Sequence, residues 1–165
     1  MSSTFEYDVR LKTYNRNNIT KAVLRKVSAL SCCNFEMGLK VDTLERLIRL
    51  YYQDLVVAYL DNQVVAFALL RRTDESRVID EIAVARKYRR HGIGSLLINS
   101  ILYVCAKEKQ MGLLAVVPES KAEMHLLLKK MGFYCVAIQK ASIACTGEDA
   151  YHFEFSLQGC RPEQT

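Results

Sequence analysis

Val78-Ile79-Asp80-Glu81-Ile82-Ala83-Val84 runs directly into Ala85-Arg86-Lys87-Tyr88-Arg89-Arg90-His91-Gly92-Ile93-Gly94-Ser95-Leu96-Leu97-Ile98. The first seven residues read as a β-strand, the next group as a short basic turn containing glycine, and the last as the start of an amphipathic helix. Gly92 and Gly94 remove side chains where the chain turns into that helix, so a ligand can approach the backbone closely. The first turn of a helix has N–H groups without an intrahelical partner, and the macrodipole places partial positive charge there. Arg86, Lys87, Arg89 and Arg90 add fixed charge around the same spot. The expected ligand is a phosphate or pyrophosphate. The plainer alternative is a solvated basic loop that caps a structural helix.

Working outward, Phe5 to Leu11 alternates apolar and polar residues with the period of a half-buried strand. Asn15 to Asn18 supplies turn and cap residues before a helix whose apolar face is Ile19, Val23, Val27 and Leu30. Residues 31–40 read as an irregular connection. Asp42 or Thr43 then caps a second helix with Leu44, Leu47, Ile48 and Tyr51 on its inner face. Leu55–Leu60 and Val64–Leu70 form a hairpin about Asp61-Asn62-Gln63. After the central stretch, whose helix runs to about Lys107, Leu113–Val117 is an apolar strand that suggests a doubly covered position. A helix from Lys121, with Met124, Leu127, Leu128 and Met131 inward, ends at Gly132. Phe133–Ile143 and Tyr151–Leu157 read as two closing strands, and 158–165 as a polar tail.

The 165 residues make one domain the simplest reading, spanning 1–157. Net charge is +5, and segment 86–90 alone carries four positive charges, nearly the whole excess. So local a charge argues against a general nucleic-acid surface. The six cysteines show no C-x-x-C spacing, and with three scattered histidines they make no metal-ligand pattern, so no metal is expected. Residues 1–14 carry charges and no apolar run, and no apolar run reaches the roughly 18–20 residues that span a membrane. A reduced, cytoplasmic protein is expected, with the nucleus also open and with no membrane partner.

Neither G-x-G-x-x-G nor G-x-x-x-x-G-K-[ST] fits the central turn. Arg89-x-x-Gly92-x-Gly94 instead resembles the acetyl-CoA signature (Q/R-x-x-G-x-G/A) of the GNAT superfamily of N-acyltransferases. The element order β-α-α-β-β-β-α-β-α-β-β resembles that family over Phe5 to Leu157, and Val116-Val117-Pro118 with Met131-Gly132-Phe133 resembles its fifth strand and terminal Gly-Phe. The resemblance implies an α/β (α+β) GNAT fold: a mixed, mostly antiparallel sheet of about seven strands, helices on both faces, and splayed fourth and fifth strands. It implies that the pantetheine arm of acetyl-CoA bonds the backbone of Ile82, Ala83 and Val84. The pyrophosphate then falls on the amides of Arg89, Arg90, His91, Gly92, Ile93 and Gly94, with Ser95 beginning the helix. The position where many members carry an Asn falls on Lys121.

Acetyl transfer to a primary amine needs a group that takes the amine proton and one that protonates the leaving thiolate. Asp80 and Glu81 are the candidate bases, and alternation puts them on opposite sides of the strand. Asp80 resembles the base of the family's polyamine acetyltransferases. Either carboxylate could instead face solvent or pair with an arginine. The family's tyrosine acid falls on Leu128, which cannot donate a proton, and the fifth-strand glutamate of ribosomal-protein acetyltransferases falls on Val116. Replacement donors are Tyr134, His125, Tyr103 or water. The resemblance places the acceptor pocket near Phe35, Glu36, Tyr51, Tyr52, Tyr151 and Phe153, with Glu36, Glu45 and Asp54 favouring a cation. Two function classes follow: an N-acetyltransferase acting by direct attack of an amine, small polyamine-like molecule or protein lysine or N-terminus, and a catalytically weak acyl-CoA-binding regulatory module. A monomer or a homodimer suits both.

Overall fold

A computed structural model of the chain describes residues 8–35, 38–51, 53–143 and 146–158. Among these, seven strands and four helices follow in the order β1 (Arg10–Tyr14), α1 (Lys21–Asn34), α2 (Val41–Leu50), β2 (Asp54–Leu60), β3 (Gln63–Arg72), β4 (Ser76–Val84), α3 (Ile93–Lys107), β5 (Gly112–Pro118), α4 (Ala122–Lys130), β6 (Tyr134–Gln139) and β7 (Ala150–Ser156). A single 3-10 turn, Arg86–Tyr88, separates β4 from α3. The strands form one mixed sheet in the order β1-β2-β3-β4-β5-β7-β6. β1–β2, β2–β3, β5–β7 and β6–β7 pair antiparallel, and β4–β5 pairs parallel. The residues divide into two compact units, Met1–Arg72 with Glu81–Leu97 and Thr73–Asp80 with Ile98–Thr165.

The first unit is built on the hydrophobic periods of α1, α2 and the β2–β3 hairpin. Thr20 caps α1 by accepting the Val23 amide at 3.4 Å, and Leu24 and Val27 on its inner face are fully buried. They share a core with Leu44 and Ile48 of α2, Leu55 and Val57 of β2, Phe67 and Leu69 of β3, and Ala83 of β4. Each fully buried aliphatic side chain there contributes about 1.5–3 kcal/mol relative to exposure. The hairpin turns at Asp61 and Asn62, whose φ values of 47° and 64° match the twist of the strands on either side.

In the second unit the parallel ladder joins Ser76–Ile79 to Gly112–Ala115 and stops short of the strand ends, as splaying requires. β5 then pairs along its whole length with β7, from Gly112↔Ser156 to Pro118↔Ala150. Gly112 has to be glycine, because a Cβ would lie 2.6 Å from the Phe155 carbonyl oxygen. Arg77, buried on β4, is held by Glu108 at 2.7 Å. Gly132 ends α4 with φ +90°, the left-handed conformation expected of a residue just past a helix.

Several boundaries differ from the sequence reading. The first strand is Arg10–Tyr14 rather than Phe5–Leu11, whose first three residues lie outside the described ones. Tyr14 decides this register: it is buried in the core, and its hydroxyl meets that of Tyr59 at 2.8 Å. α1 continues to Asn34 through residues expected to be irregular. Lys40, not Asp42 or Thr43, occupies the N-cap of α2, and Tyr51 is 65% exposed rather than inward. Val116 departs from the covered strand expected of β5, being 43% exposed. β6 ends at Gln139, because Lys140 and Ala141 turn back to bond Asp149. Most of the polar tail, 159–165, lies outside the described residues, as do Cys145 and Cys160.

Candidate active site

The residues of the central stretch from Glu81 to Leu97 all belong to the first unit, so the end of β4, the basic turn and the start of α3 form one local structure. β4 delivers Ile82 and Val84 half-buried and Ala83 buried in the core. The chain then leaves the sheet at Ala85, whose N–H bonds the Val65 carbonyl at 2.8 Å, and winds through the 3-10 turn.

Two residues reverse the backbone on the way into α3: Arg90 with φ 66° and Gly92 with φ 82°. Left-handed residues in such a turn bring successive N–H groups to one side, which makes an anion-binding concavity. Glycine adopts this conformation freely, whereas at Arg90 it costs of order 1–3 kcal/mol, which the surrounding contacts must supply. The first intrahelical bond runs from Leu96 N–H to the Gly92 carbonyl at 2.9 Å, so the amides of Ile93, Gly94 and Ser95 stand ahead of the ladder, at the positive end of the dipole.

Arg89 is built into this turn rather than merely near it. Its Nε–H donates to the Val84 carbonyl at 3.1 Å, and its Nη2 donates to Asn34 Oδ1 at the end of α1. His91 Nδ1–H donates to the Arg89 carbonyl at 2.8 Å. The turn is therefore cross-braced to β4, to α1 and to itself. Arg86 and Lys87 are exposed beside it, Lys87 lying over the Tyr88 ring at 4.6 Å.

Of the two candidate bases, the structure distinguishes Glu81 from Asp80. Asp80 is exposed. Glu81 is half-buried, and its Oε1 accepts a 2.6 Å hydrogen bond from the Ser31 hydroxyl of α1. Burial pushes the Glu81 carboxyl above the usual carboxylate range, with the Ser31 bond pulling the other way. A carboxylate whose affinity for a proton has been raised is better suited to accept one from an ammonium group.

The remaining expected residues lie in the second unit. Lys121 is the exposed N-cap of α4 and makes no side-chain cap. Tyr134 begins β6 opposite Glu154, and burial followed by that negative charge raises its phenol. His125 bonds the Pro118 carbonyl through Nε2 at 2.9 Å and meets the Tyr151 and Phe153 rings edge-on at 4.9 and 5.3 Å. Leu128 is fully buried. Leu128→Tyr is accordingly expected to strain the core by about 1–3 kcal/mol rather than to add a proton donor. A thermal midpoint several degrees lower, with no gain in turnover, is the expected measurement.

Phe35 packs on the first unit's core and Phe153 is buried, so these are structural. Tyr51 is exposed, while Glu36 and Tyr52 lie outside the described residues. Glu45 pairs with Arg49 at 3.0 Å and buried Asp54 with Arg72 at 3.1 Å, which spends both carboxylates on structure rather than on a cationic acceptor. Among the described residues, no group of three or more His, Cys, Asp or Glu side chains could hold a metal ion, and no helix is long and apolar enough to cross a membrane. Sequence reasoning missed Ser31. Its signal was a small polar residue on the apolar face of α1, in line with Leu24 and Val27.

A family model for the GNAT acetyltransferase family matches residues 24–133. Among solved structures, the ribosomal-protein-S18-alanine N-acetyltransferase from Escherichia coli superposes with a TM-score of 0.77 at 16% identity, covering 94% of this chain and 99% of its own. Arabidopsis thaliana NAA60 in complex with a bisubstrate analogue gives 0.74 at 18%, with 92% and 100% covered. A GNAT family acetyltransferase from Elizabethkingia anophelis with acetyl-CoA bound gives 0.69 at 19%, with 91% and 99% covered. At such identities the likeness is one of fold. No curated protein matches the sequence.

Proposed function

Because the chain belongs to the GNAT acetyltransferase family, whose acetyl donor is acetyl-CoA, we propose that it acetylates a primary amine, with Glu81 as the group that takes the amine proton. The observation that carries this reading is the Glu81 carboxylate itself: half-buried, held by Ser31, raised by burial, and one residue before Ile82-Ala83-Val84. The residues present suit the anionic part of acetyl-CoA. The left-handed turn at Arg90 and Gly92, the leading amides of α3 and the braced Arg89 together would hold a pyrophosphate. Ile82 to Val84 would offer their backbone to the pantetheine arm.

The thioester supplies an activated acetyl group. A primary ammonium has to lose two protons overall: one to Glu81, which returns it to water, and one to the departing sulfur. The nitrogen–carbon bond forms as the carbon–sulfur bond breaks, so amide, thiol and one released proton account for every atom. Holding the amine against the thioester supplies much of the rate, and the positioned base adds to it.

A second reading, a binding module with little turnover, draws on buried Leu128 standing where the family carries its tyrosine acid. Thermal stabilisation by acetyl-CoA and by free CoA, measured alongside thiol release with spermidine, lysine peptides and N-terminal peptides, separates the two. Stabilisation with thiol release on any of these amines is the expected result. Stabilisation without turnover across the panel favours the binding module, and no stabilisation by either acetyl-CoA or free CoA refutes the phosphate site.

A further inference from the structure

We propose that Ser31 is the positioning residue of this site, its hydroxyl locked between the Leu39 amide and the Glu81 carboxylate so that the backbone at Leu39 holds the proton-accepting group in place. This rests on the reading of Glu81 as the base. The geometry is a two-bond chain wholly within the first unit: Leu39 N–H donates to Ser31 Oγ at 2.8 Å, and Ser31 O–H donates to Glu81 Oε1 at 2.6 Å. A serine hydroxyl has one proton to give. The Leu39 amide occupies an acceptor site on the oxygen, which leaves that proton directed at the carboxylate. Ser31 is fully buried, so water does not compete for either bond.

Gly38 and Leu39 are pressed onto the end of α1. A Cβ on Gly38 would fall 2.7 Å from the Ser31 carbonyl carbon and still closer to the backbone of Cys32. Leu39, its neighbour, packs against the core and presents its amide to Ser31. Any change in the seating of Leu39 therefore reaches Glu81 through one hydroxyl.

A hydrogen bond donated to a carboxylate favours its charged form. The influences on the Glu81 carboxyl are burial, which raises it, and the Ser31 bond, which lowers it. Arg89 is committed to Val84 and Asn34. Ser31 is thus the group whose hydrogen bond opposes the effect of burial on the half-buried Glu81 carboxylate.

The test compares the full chain with Ser31→Ala, Ser31→Thr, Glu81→Gln and the Ser31→Ala/Glu81→Gln pair. Carboxyl-carbon NMR titration of the ligand-free proteins follows Glu81 directly, with Glu81→Gln identifying the signal. The pH profile of thiol release is read with spermidine or a lysine peptide. Ser31→Ala is expected to move the Glu81 titration to higher pH and to lower activity about tenfold on the acid limb, leaving the alkaline plateau in place. Ser31→Thr restores both, and the pair shows no further change in profile over Glu81→Gln. Titration of Ser31→Ala at the wild-type midpoint, or an equal loss of activity at every pH, would overturn the proposal. Because the titration needs no acetyl donor or amine, it judges Ser31 even if the wild-type protein turns over none of the amines, which would count against the acetyltransferase reading alone.

Discussion

Glu81→Gln is expected to lower kcat by about 10²–10⁴-fold, the range associated with a positioned general base, while stabilisation by acetyl-CoA stays at the wild-type value. Glutamine keeps the shape of the side chain and an oxygen for the Ser31 hydroxyl, so the loss isolates proton transfer from packing. Asp80→Asn, altering an exposed carboxylate next door, is the control and should change kcat little. The wild-type rate should rise with pH along a limb set above the ordinary glutamate range, because burial holds the Glu81 carboxyl up and only the ionised form accepts a proton. That limb should be missing in Glu81→Gln. Stability carries an opposite signature. A folded-state carboxyl that is raised favours the native state at pH below the unfolded range, and this contribution is lost as pH rises through the raised one. Glutamine has no such loss, so the thermal midpoint of Glu81→Gln should gain on the wild type as pH rises from the ordinary glutamate range through the raised one. A variant that kept full activity with its acid limb intact would remove Glu81 from the chemistry.

Why Glu81 could be suspected from sequence, yet not chosen over Asp80, has a physical answer. Alternation along a strand separates two adjacent side chains onto opposite sides but does not say which side a helix covers. That depends on Ser31, fifty residues earlier, and on the length of α1, which the loss of apolar residues after Leu30 concealed. The helix continues there because its inner face needs only small residues: Ser28 and Ser31 are buried where Leu24 and Val27 were. The elements with strong local signals were legible, among them the Asp61-Asn62 turn, the Gly132 terminus and the sequence of strands and helices. Val116 and Leu128 show the limit from the other side, since both look like uniform core in the sequence. One is 43% exposed on β5 and the other is fully buried on α4. Hydrophobicity states what a residue tolerates; register states where it goes. The turn into α3 was legible because its logic is local, resting on glycine, basic side chains and the start of a helix.

That turn is where the second large effect is expected. Arg89→Ala should weaken acetyl-CoA binding by roughly 10- to 150-fold, corresponding to about 1.5–3 kcal/mol for charge-assisted hydrogen bonding. Part of the loss is indirect. The guanidinium ties the turn to the Val84 carbonyl and to Asn34, so its removal frees a loop whose Arg90 backbone is held in a costly conformation. Arg89→Lys keeps one charge but cannot reach both partners with a rigid fork, and should recover only a fraction of the affinity. Gly92→Val attacks the same site through the backbone: a β-branched residue resists φ 82°, so the leading amides of α3 should lose their alignment. Arg89→Ala and Gly92→Val should each bind free CoA and acetyl-CoA weakly to the same degree, because the acetyl group plays no part in holding a pyrophosphate. Isothermal titration with the two compounds, repeated at increasing salt, is the measurement. The wild type should lose affinity as ionic strength rises and Arg89→Ala should lose less of it, since part of the screened attraction has already gone. An Arg89→Ala protein that bound both compounds at wild-type strength would show that the basic turn is only the cap of a structural helix.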